Sequence, residues 1–339
     1  MLDYRPSCKR VTYGQYFCHA LAGFRFQSRG VLWHWGSHTT LAGLRVLATG
    51  MSGPVGAGLL PVLSAAGHRV TRLARHAATG ESEIQWDPAT PLSPETVSGF
   101  DVVIHLAGES IFGRWTEAKK QRILLSRTLG TRNLSLALAN ASSRPRVLIS
   151  GSAIGYYGDR GDETLTEDSS PGSAFLTKVC QQWEAATQPA ASAGIRVVSL
   201  RLGVVLSPQG GALGQMLLPF KMGVGGRLGS GRQYMSWVSI KDVVGAIEHA
   251  MSSDSLHGPT NVVSPNPVNN AEFTQALAQV LHRPAIFPMP RFVVRTLFGE
   301  MGDELLLSSA RVLPKQLQAT GYRFRHPELT HALRDLLGK

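Results

Sequence analysis

Apolar residues along this chain fall into two alternating textures. Short unbroken runs have the length and composition of buried strands: Val46-Leu47-Ala48, Val102-Val103-Ile104, Val147-Leu148-Ile149 and the stretch from Ile195 to Leu206. Between them lie longer segments, Leu59 to Ala66, Glu117 to Asn140 and Ser173 to Ala191, that read as helices. In the second of these, Ile123, Leu124, Leu134 and Leu138 mark the apolar side. A strand that is apolar on both faces needs cover on both. The alternation therefore predicts an α/β fold, a doubly wound parallel sheet with helices on each side. From Pro208 the texture changes to a glycine-punctuated segment (Gly210, Gly211, Gly214 and on to Gly231) that holds Phe220, Lys221, Tyr234 and Trp237. Phe287 to Leu337 reads as a compact helical tail, apolar at Phe292, Val293, Leu297, Leu305, Leu306, Leu329, Leu333 and Leu336.

The first strand is cut off by Gly50, and glycines then recur at Gly53 and Gly56, with Ser52, Pro54 and Val55 between them. A helical segment closed by Gly67 follows, then a second β-like run, Arg69-Val-Thr-Arg-Leu73. Strand, glycine turn, helix and strand make one βαβ unit of dinucleotide-binding type. One glycine makes the tight turn, one lets backbone approach a pyrophosphate, and one lets helix pack on strand. The phosphates then face the unbonded N–H groups and the positive dipole end of the helix. Pro61 falls inside this helix, removes one backbone bond and is expected to bend its first turns.

At the end of the second strand an acidic residue would bond the two ribose hydroxyls, whereas an arginine accommodates a 2′-phosphate. No Asp or Glu occurs between Gly50 and Glu81, and Arg75 stands at that point, with Arg72 and His76 nearby. A guanidinium pairs a phosphate through two parallel bonds, so the expected cofactor is NADP(H). Further on, Leu106-Ala107-Gly108 ends a buried strand in residues small enough for backbone to lie against an adenine ring.

Composition narrows the class. The net charge of +11 includes +4 from residues 1–43, which carry five basic residues and one acid. The rest has no lysine-rich block, which argues against nucleic acid as a partner. No apolar run approaches the ~20 residues of a membrane span. Cys8, Cys18 and Cys180 show neither metal spacing nor a disulfide framework, so no metal site is expected and a reducing, cytoplasmic setting fits. Residues 1–43 lack helical or strand period and read as a poorly ordered extension, with organellar import by an Arg-rich, acid-poor leader left open. The organisation expected is this extension, a dinucleotide-binding domain over 44–260 with a substrate-side insertion at 208–240, and a helical domain at 285–337.

These marks together resemble an extended short-chain dehydrogenase/reductase, a Rossmann-like fold. The shared signs are Gly50-x-x-Gly53-x-x-Gly56, His105-Leu-Ala-Gly108, Gly130-Thr-Arg-Asn133-Leu, Ser150-Gly-Ser152 and Arg201-Leu-Gly-Val-Val. More narrowly, the chain is similar to an atypical branch known as the sugar-nucleotide epimerase family, some of whose members are called cell-division inhibitors. Its marks include Arg114-Trp115-Thr, Ser126-Arg127, Gly155-Tyr156-Tyr157-Gly158, Trp183-Glu184, Gly229-Ser-Gly231-Arg-Gln and Trp237-Val-Ser-Ile-Lys-Asp242. The tail, Phe298-Gly-Glu-Met to Val312-Leu-Pro-Lys and Thr320-Gly-Tyr-Arg-Phe324, resembles that branch's C-terminal domain of unknown function. The resemblance implies cofactor contacts at Ala74-Arg75, Leu106-Ala107, Arg127 and Val204, beside the glycine turn and Ser150.

The wider family transfers hydride with a Tyr four residues before a Lys on one helix, and a Ser or Thr that orients the substrate oxygen. The resemblance assigns the Ser role to Ser152 and the Lys role to Lys178, but the residue four before Lys178 is Ala174. None of the seven tyrosines has a lysine four positions on. Two classes of function remain. One is an NADP(H)-dependent oxidoreductase or epimerase acting on a small carbonyl compound or sugar nucleotide. Tyr156 or Tyr157 then supplies the proton and Lys178 assists, with Asp159 and Asp162 weaker candidates better read as turn formers. The other is a catalytically silent NADP(H)-binding sensor or regulatory module.

Overall fold

The computed structural model describes residues 43–339; the expected extension lies, but for its last residue, outside them. Seven strands form one parallel sheet: β1 (Arg45–Thr49), β2 (Arg69–Ala74), β3 (Glu83–Gln85), β4 (Val102–His105), β5 (Val147–Ala153), β6 (Arg196–Leu202) and β7 (Gly258–Val262). Their spatial order is β7-β6-β5-β4-β1-β2-β3, so the chain winds outward from β1 in both directions. The order reverses beside β1, and there the carboxyl ends of the strands leave a crevice.

Successive residues of the central strands serve opposite sides of the sheet. Val46, Ala48, Val102, Ile104, Val147 and Ile149 join one buried cluster, with Leu59 and Leu63 of α1 (Pro54–Ala65). Leu47, Val103 and Leu148 join the other, with Leu134 and Leu138 of α2 (Glu117–Asn140). Both faces are covered, and the unbroken apolar runs are explained. α1 begins at Pro54 and continues through the exposed Pro61 to Ala65.

Two expected elements are each divided. The helix expected over 173–191 is α3 (Phe175–Ala185) and a short second helix, Gln188–Ser192. Pro189, which has no N–H to donate, opens the second. The long strand expected to Leu206 leaves the main sheet after Leu202, and Val204–Ser207 pairs with Trp237–Ser239 in a separate two-stranded sheet. Gly203 permits the exit, since a Cβ there would stand 2.3 Å from the Ser236 carbonyl oxygen.

α4 (Gly211–Lys221) and α6 (Asn270–Leu281), the latter opened by an Asn269–Glu272 capping box, share a separate buried cluster, whereas α5 (Ile240–Ser252) packs its Val243 and Ile247 on the main sheet. The tail holds α7 (Arg291–Phe298), a wider helical turn at Gly302–Leu307 and α8 (Leu329–Leu337). It is not wholly helical, because Arg311–Val312 pairs in parallel with Thr164–Leu165. Asp242, 1% exposed, fastens the tail to α5. Its carboxylate accepts from Ser239 Oγ at 2.7 Å, the N–H groups of Arg325 and His326 at 2.7 and 3.0 Å, and the Tyr322 hydroxyl at 3.2 Å.

Asp242→Ala strands these donors in a dry site. It is expected to cost about 3 kcal/mol, seen as a lower denaturant midpoint. A change within about 0.5 kcal/mol, the range of ordinary surface substitutions, would contradict this role.

Candidate functional site

The glycine turn is shaped by close backbone approaches. Gly50 has φ +74°, and a Cβ on it would lie 2.5 Å from the Leu106 carbonyl carbon. The turn is therefore pressed against the Leu106-Ala107 segment. At Gly56 a Cβ would lie 2.3 Å from Met51 Cα, which locks α1 onto the turn. Gly53 differs: its φ is −76°, and a Cβ there would meet only the Gly50 carbonyl oxygen, at 3.4 Å. Neither strain nor crowding within the protein demands glycine at that point. The backbone there is left open to close approach. Gly53 is also the N-cap of α1 with no side-chain capping bond, and Pro54 opens the first turn, so unsatisfied N–H groups remain there for an anion.

The walls of this cradle come from β2 and β4. Arg72 is paired with Glu83 on neighbouring β3 at 2.6 Å. Arg75, exposed just beyond Ala74, has no ion-pair or hydrogen-bond partner among the described residues. Thr49 Oγ1 bonds His105 Nδ1 at 2.8 Å and accepts from the Ala107 N–H at 3.3 Å, fixing the start of the Leu106-Ala107-Gly108 segment. Arg127, from α2, lies behind that segment. It donates to the carbonyls of Glu109 and Ile123 at 3.0 and 3.1 Å and stacks 5.0 Å from the Trp183 ring centre. Ser126 Oγ accepts from the Glu109 N–H at 3.0 Å, so α2 holds the whole loop.

On the far side, β5 closes with Ser150-Gly151-Ser152-Ala153, and a single helical turn, Ile154–Tyr156, follows. Ser150 is buried, its hydroxyl 3.4 Å from the Gly151 carbonyl, while half-buried Val204 donates its N–H to Ser236 at 2.8 Å. Ser152 Oγ donates to Glu184 Oε1 at 2.6 Å. The same carboxylate takes two bonds of 2.8 Å from Arg201, which is 2% exposed. Arg201 also donates to the Tyr157 hydroxyl at 3.0 Å, and that hydroxyl donates to Asn261 Oδ1 at 2.8 Å.

Tyr157 is fully buried, and burial pushes its phenol up to about 12. Both of its hydrogen-bonding roles are taken inside the core. Tyr156 stands otherwise: half-buried, its ring centre 3.5 Å from the Arg201 guanidinium, its hydroxyl without a partner among the described residues. Of the two tyrosines, only Tyr156 keeps a hydroxyl that no described residue engages.

α3 starts at Phe175, with Ala174 as its N-cap, so the position four before Lys178 precedes the helix. The cap is supplied from the tail, where the Glu304 carboxylate accepts the N–H groups of Phe175 and Leu176 at 2.9 and 3.0 Å. Lys178 itself is exposed and unpaired among the described residues. Asp159 acts in a turn, accepting from the N–H groups of Gly161 at 3.4 Å and Ser309 at 3.1 Å.

Glu184, Arg201, Asn261 and Glu304 received no role from sequence reasoning. A signal for the first two existed: Arg201 interrupts an apolar strand, and Glu184 sits beside the buried Trp183. Opposite charges on buried faces imply pairing. No group of His, Cys, Asp and Glu suited to a metal occurs among the described residues, and none of their helices is long and apolar enough to cross a membrane.

The parallel sheet, its switch point and the glycine cradle define a Rossmann-like α/β protein of the extended short-chain dehydrogenase/reductase kind. Residues 46–264 match the NAD dependent epimerase/dehydratase family, and 289–336 match a domain of unknown function, DUF1731. The chain belongs to that epimerase/dehydratase family. It is 42% identical to an epimerase family protein of Mycobacterium tuberculosis over 86% of this chain and 97% of the relative. A crystal structure of human epimerase family protein SDR39U1 with NADPH superposes with a TM-score of 0.81 at 36% identity, covering 87% of this chain and all of that one. A nucleoside-diphosphate sugar epimerase from Corynebacterium glutamicum gives 0.74 at 36% identity, covering 88% of this chain and 59% of the other.

His105, with no exposed surface, yields a test of the crevice floor. Its Nε2 has no partner and burial lowers its pKa to about 4, against 6.5. Between those values the unfolded chain binds a proton that the folded chain refuses. The contribution is therefore complete above pH 6.5 and is lost as pH falls toward 4. Between pH 7 and pH 5 it should amount to roughly 2 kcal/mol. Urea unfolding at both values should show a smaller drop in His105→Asn than in the parent; equal drops would refute a neutral buried imidazole.

Proposed function

We propose that this protein is an NADP(H)-dependent oxidoreductase or epimerase acting on a small carbonyl compound or sugar nucleotide, with its proton carried by Tyr156. The observation that carries the cofactor reading is the pair Gly53 and Arg75: an open glycine at an uncapped helix start, and an unpaired guanidinium at the end of β2. The bound cofactor supplies hydride chemistry at its nicotinamide. Gly53 and the first turn of α1 hold the pyrophosphate, Arg75 the 2′-phosphate, and Leu106-Ala107 flank the adenine. Arg72 contributes charge at a distance, since Glu83 already takes one of its amino groups. That human SDR39U1 was crystallised with NADPH supports the choice of phosphorylated cofactor.

On the chemical side, Ser152 orients a substrate oxygen while Glu184 fixes the direction of its hydroxyl. Tyr156 gives or takes the proton, with Arg201 lying against its ring to favour negative charge there. Lys178 reaches from the first turn of α3 toward the cofactor ribose. The competing reading, a silent sensor, draws on one observation: α3 begins after the position of the family tyrosine, so the usual acid has no place on it. The reading takes a small molecule as partner, not nucleic acid or membrane, and a cytoplasmic location.

Two measurements check it. NADPH should bind at least tenfold tighter than NADH, about 1.4 kcal/mol, and Arg75→Ala should erase most of that preference while sparing NADH. Equal affinity of the unmutated protein for both would sink the cofactor reading. In reductase and epimerase screens, Tyr156→Phe should lower turnover roughly 10²-fold with NADPH affinity intact. Tyr157→Phe should chiefly lower stability. Full turnover in Tyr156→Phe would remove the tyrosine from the mechanism, and no turnover by the parent on any panel member would favour the sensor.

A further inference from the structure

One cation of the tail has no counter-charge among the described residues. Arg311 lies in the short strand Arg311–Val312 beside Thr164–Leu165. Its neighbours Ala310 and Val312 are buried, at 9% and 0% exposure, and strand alternation turns Arg311 to the other face. There its guanidinium lies 5.1 Å from the centre of the Tyr234 ring. Its Nε is buried without an acceptor, and no carboxylate pairs with it among the described residues. A buried charged donor with no protein acceptor is costly, and such a donor calls for a water or an ion beside it.

The surroundings tie Arg311 to the reacting wall. Ser309, two residues earlier, accepts the Tyr234 N–H on its hydroxyl at 3.0 Å and donates that hydroxyl to the Gly161 carbonyl at 2.6 Å. Its own N–H goes to Asp159 at 3.1 Å, and its carbonyl accepts from the Arg160 N–H at 2.8 Å. The loop leaving Tyr156-Tyr157 is thereby stitched to the strand of Arg311 and to Tyr234. Tyr234, like Tyr156, has a hydroxyl without a partner among the described residues. The cofactor's own phosphates, in the proposed reading, are held at Gly53 and Arg75 on the β1–β2 side.

We propose that Arg311, backed by Tyr234, is a subsite for a substrate oxyanion, a carboxylate or a phosphate. A planar guanidinium with an aromatic ring behind it presents its remaining N–H groups as a fork, the geometry that grips two oxygens of one anion. The substrate is then a small carbonyl or hydroxyl compound that carries such a group. This assignment rests on the 152–157 segment being the reacting wall, as in the proposed function.

The test is calorimetric titration of the full chain, saturated with NADPH so that the glycine turn is filled, with inorganic phosphate and with acetate at constant ionic strength. At least one anion should bind saturably. Arg311→Gln should weaken it tenfold or more while leaving NADPH affinity and melting temperature near those of the parent. Preference for phosphate or for acetate identifies the substrate's anion. Arg311→Lys, which keeps the charge but loses the fork, should fall between and serves if the glutamine variant does not fold. Absence of saturable binding by either anion, or equal affinity in parent and variants, would overturn the subsite. Failure of the parent to bind NADPH would instead remove the cofactor reading, while an Arg311-dependent anion isotherm would still stand.

Discussion

The candidate site depends on how one buried guanidinium is neutralised. Arg201 enters the interior on β6, a strand whose neighbours are apolar, and is kept there by both oxygens of Glu184 and by the Tyr157 hydroxyl. Taking such a pair out of water is favourable only with good geometry and satisfied hydrogen bonds. The arrangement therefore drafts α3 for its carboxylate, the turn after β5 for its tyrosines, and β7 for Asn261, whose amide oxygen accepts the Tyr157 hydrogen bond. Ser152 is aimed by the same carboxylate. Four elements around the crevice thus take their mutual positions from one charge. Loss of a single partner would leave the rest buried and uncompensated.

The tail completes this wall. Glu304 supplies the cap that the sequence of α3 lacks, because Ala174 has no oxygen to offer. Ser309 and Ala310 bind the loop after Tyr157 and the strand before Trp237. A segment matched only by a domain of unknown function is in this way part of the crevice that the epimerase-family portion opens. The position where the wider family keeps its tyrosine is here a helix cap. Under Arg201 stands instead a tyrosine pair, one member bonded in the core and the other with a hydroxyl that no described residue engages.

Much of the scaffold could be read from the chain. The apolar runs gave the central strands, and the glycine spacing gave the turn, because each reports a local demand: burial on both faces in one case, close backbone approach in the other. Where the reading went astray the signals were local too. Pro189 opens a separate short helix after α3, and Gly203 releases the strand into a second sheet. The tertiary choices were not legible. Sequence does not reveal that Tyr157 turns inward while Tyr156 does not, since adjacent residues of identical chemistry are separated only by what lies around them. Nor does it show Glu83 taking Arg72 and leaving Arg75 open. The pairing of Glu184 with Arg201 joins a helix to a strand and has no period by which to be found.

The central claim is that the glycine cradle holds NADP(H) with its reactive end facing the wall that Arg201 organises. A crystal structure of the complex with NADPH tests it most directly. The pyrophosphate is expected over Gly53, the 2′-phosphate within hydrogen-bonding distance of Arg75, and the nicotinamide facing Ser152 and the Tyr156 hydroxyl, with Tyr157 unmoved in the core. A cofactor bound elsewhere, or a nicotinamide shielded from Tyr156 by protein, would contradict it.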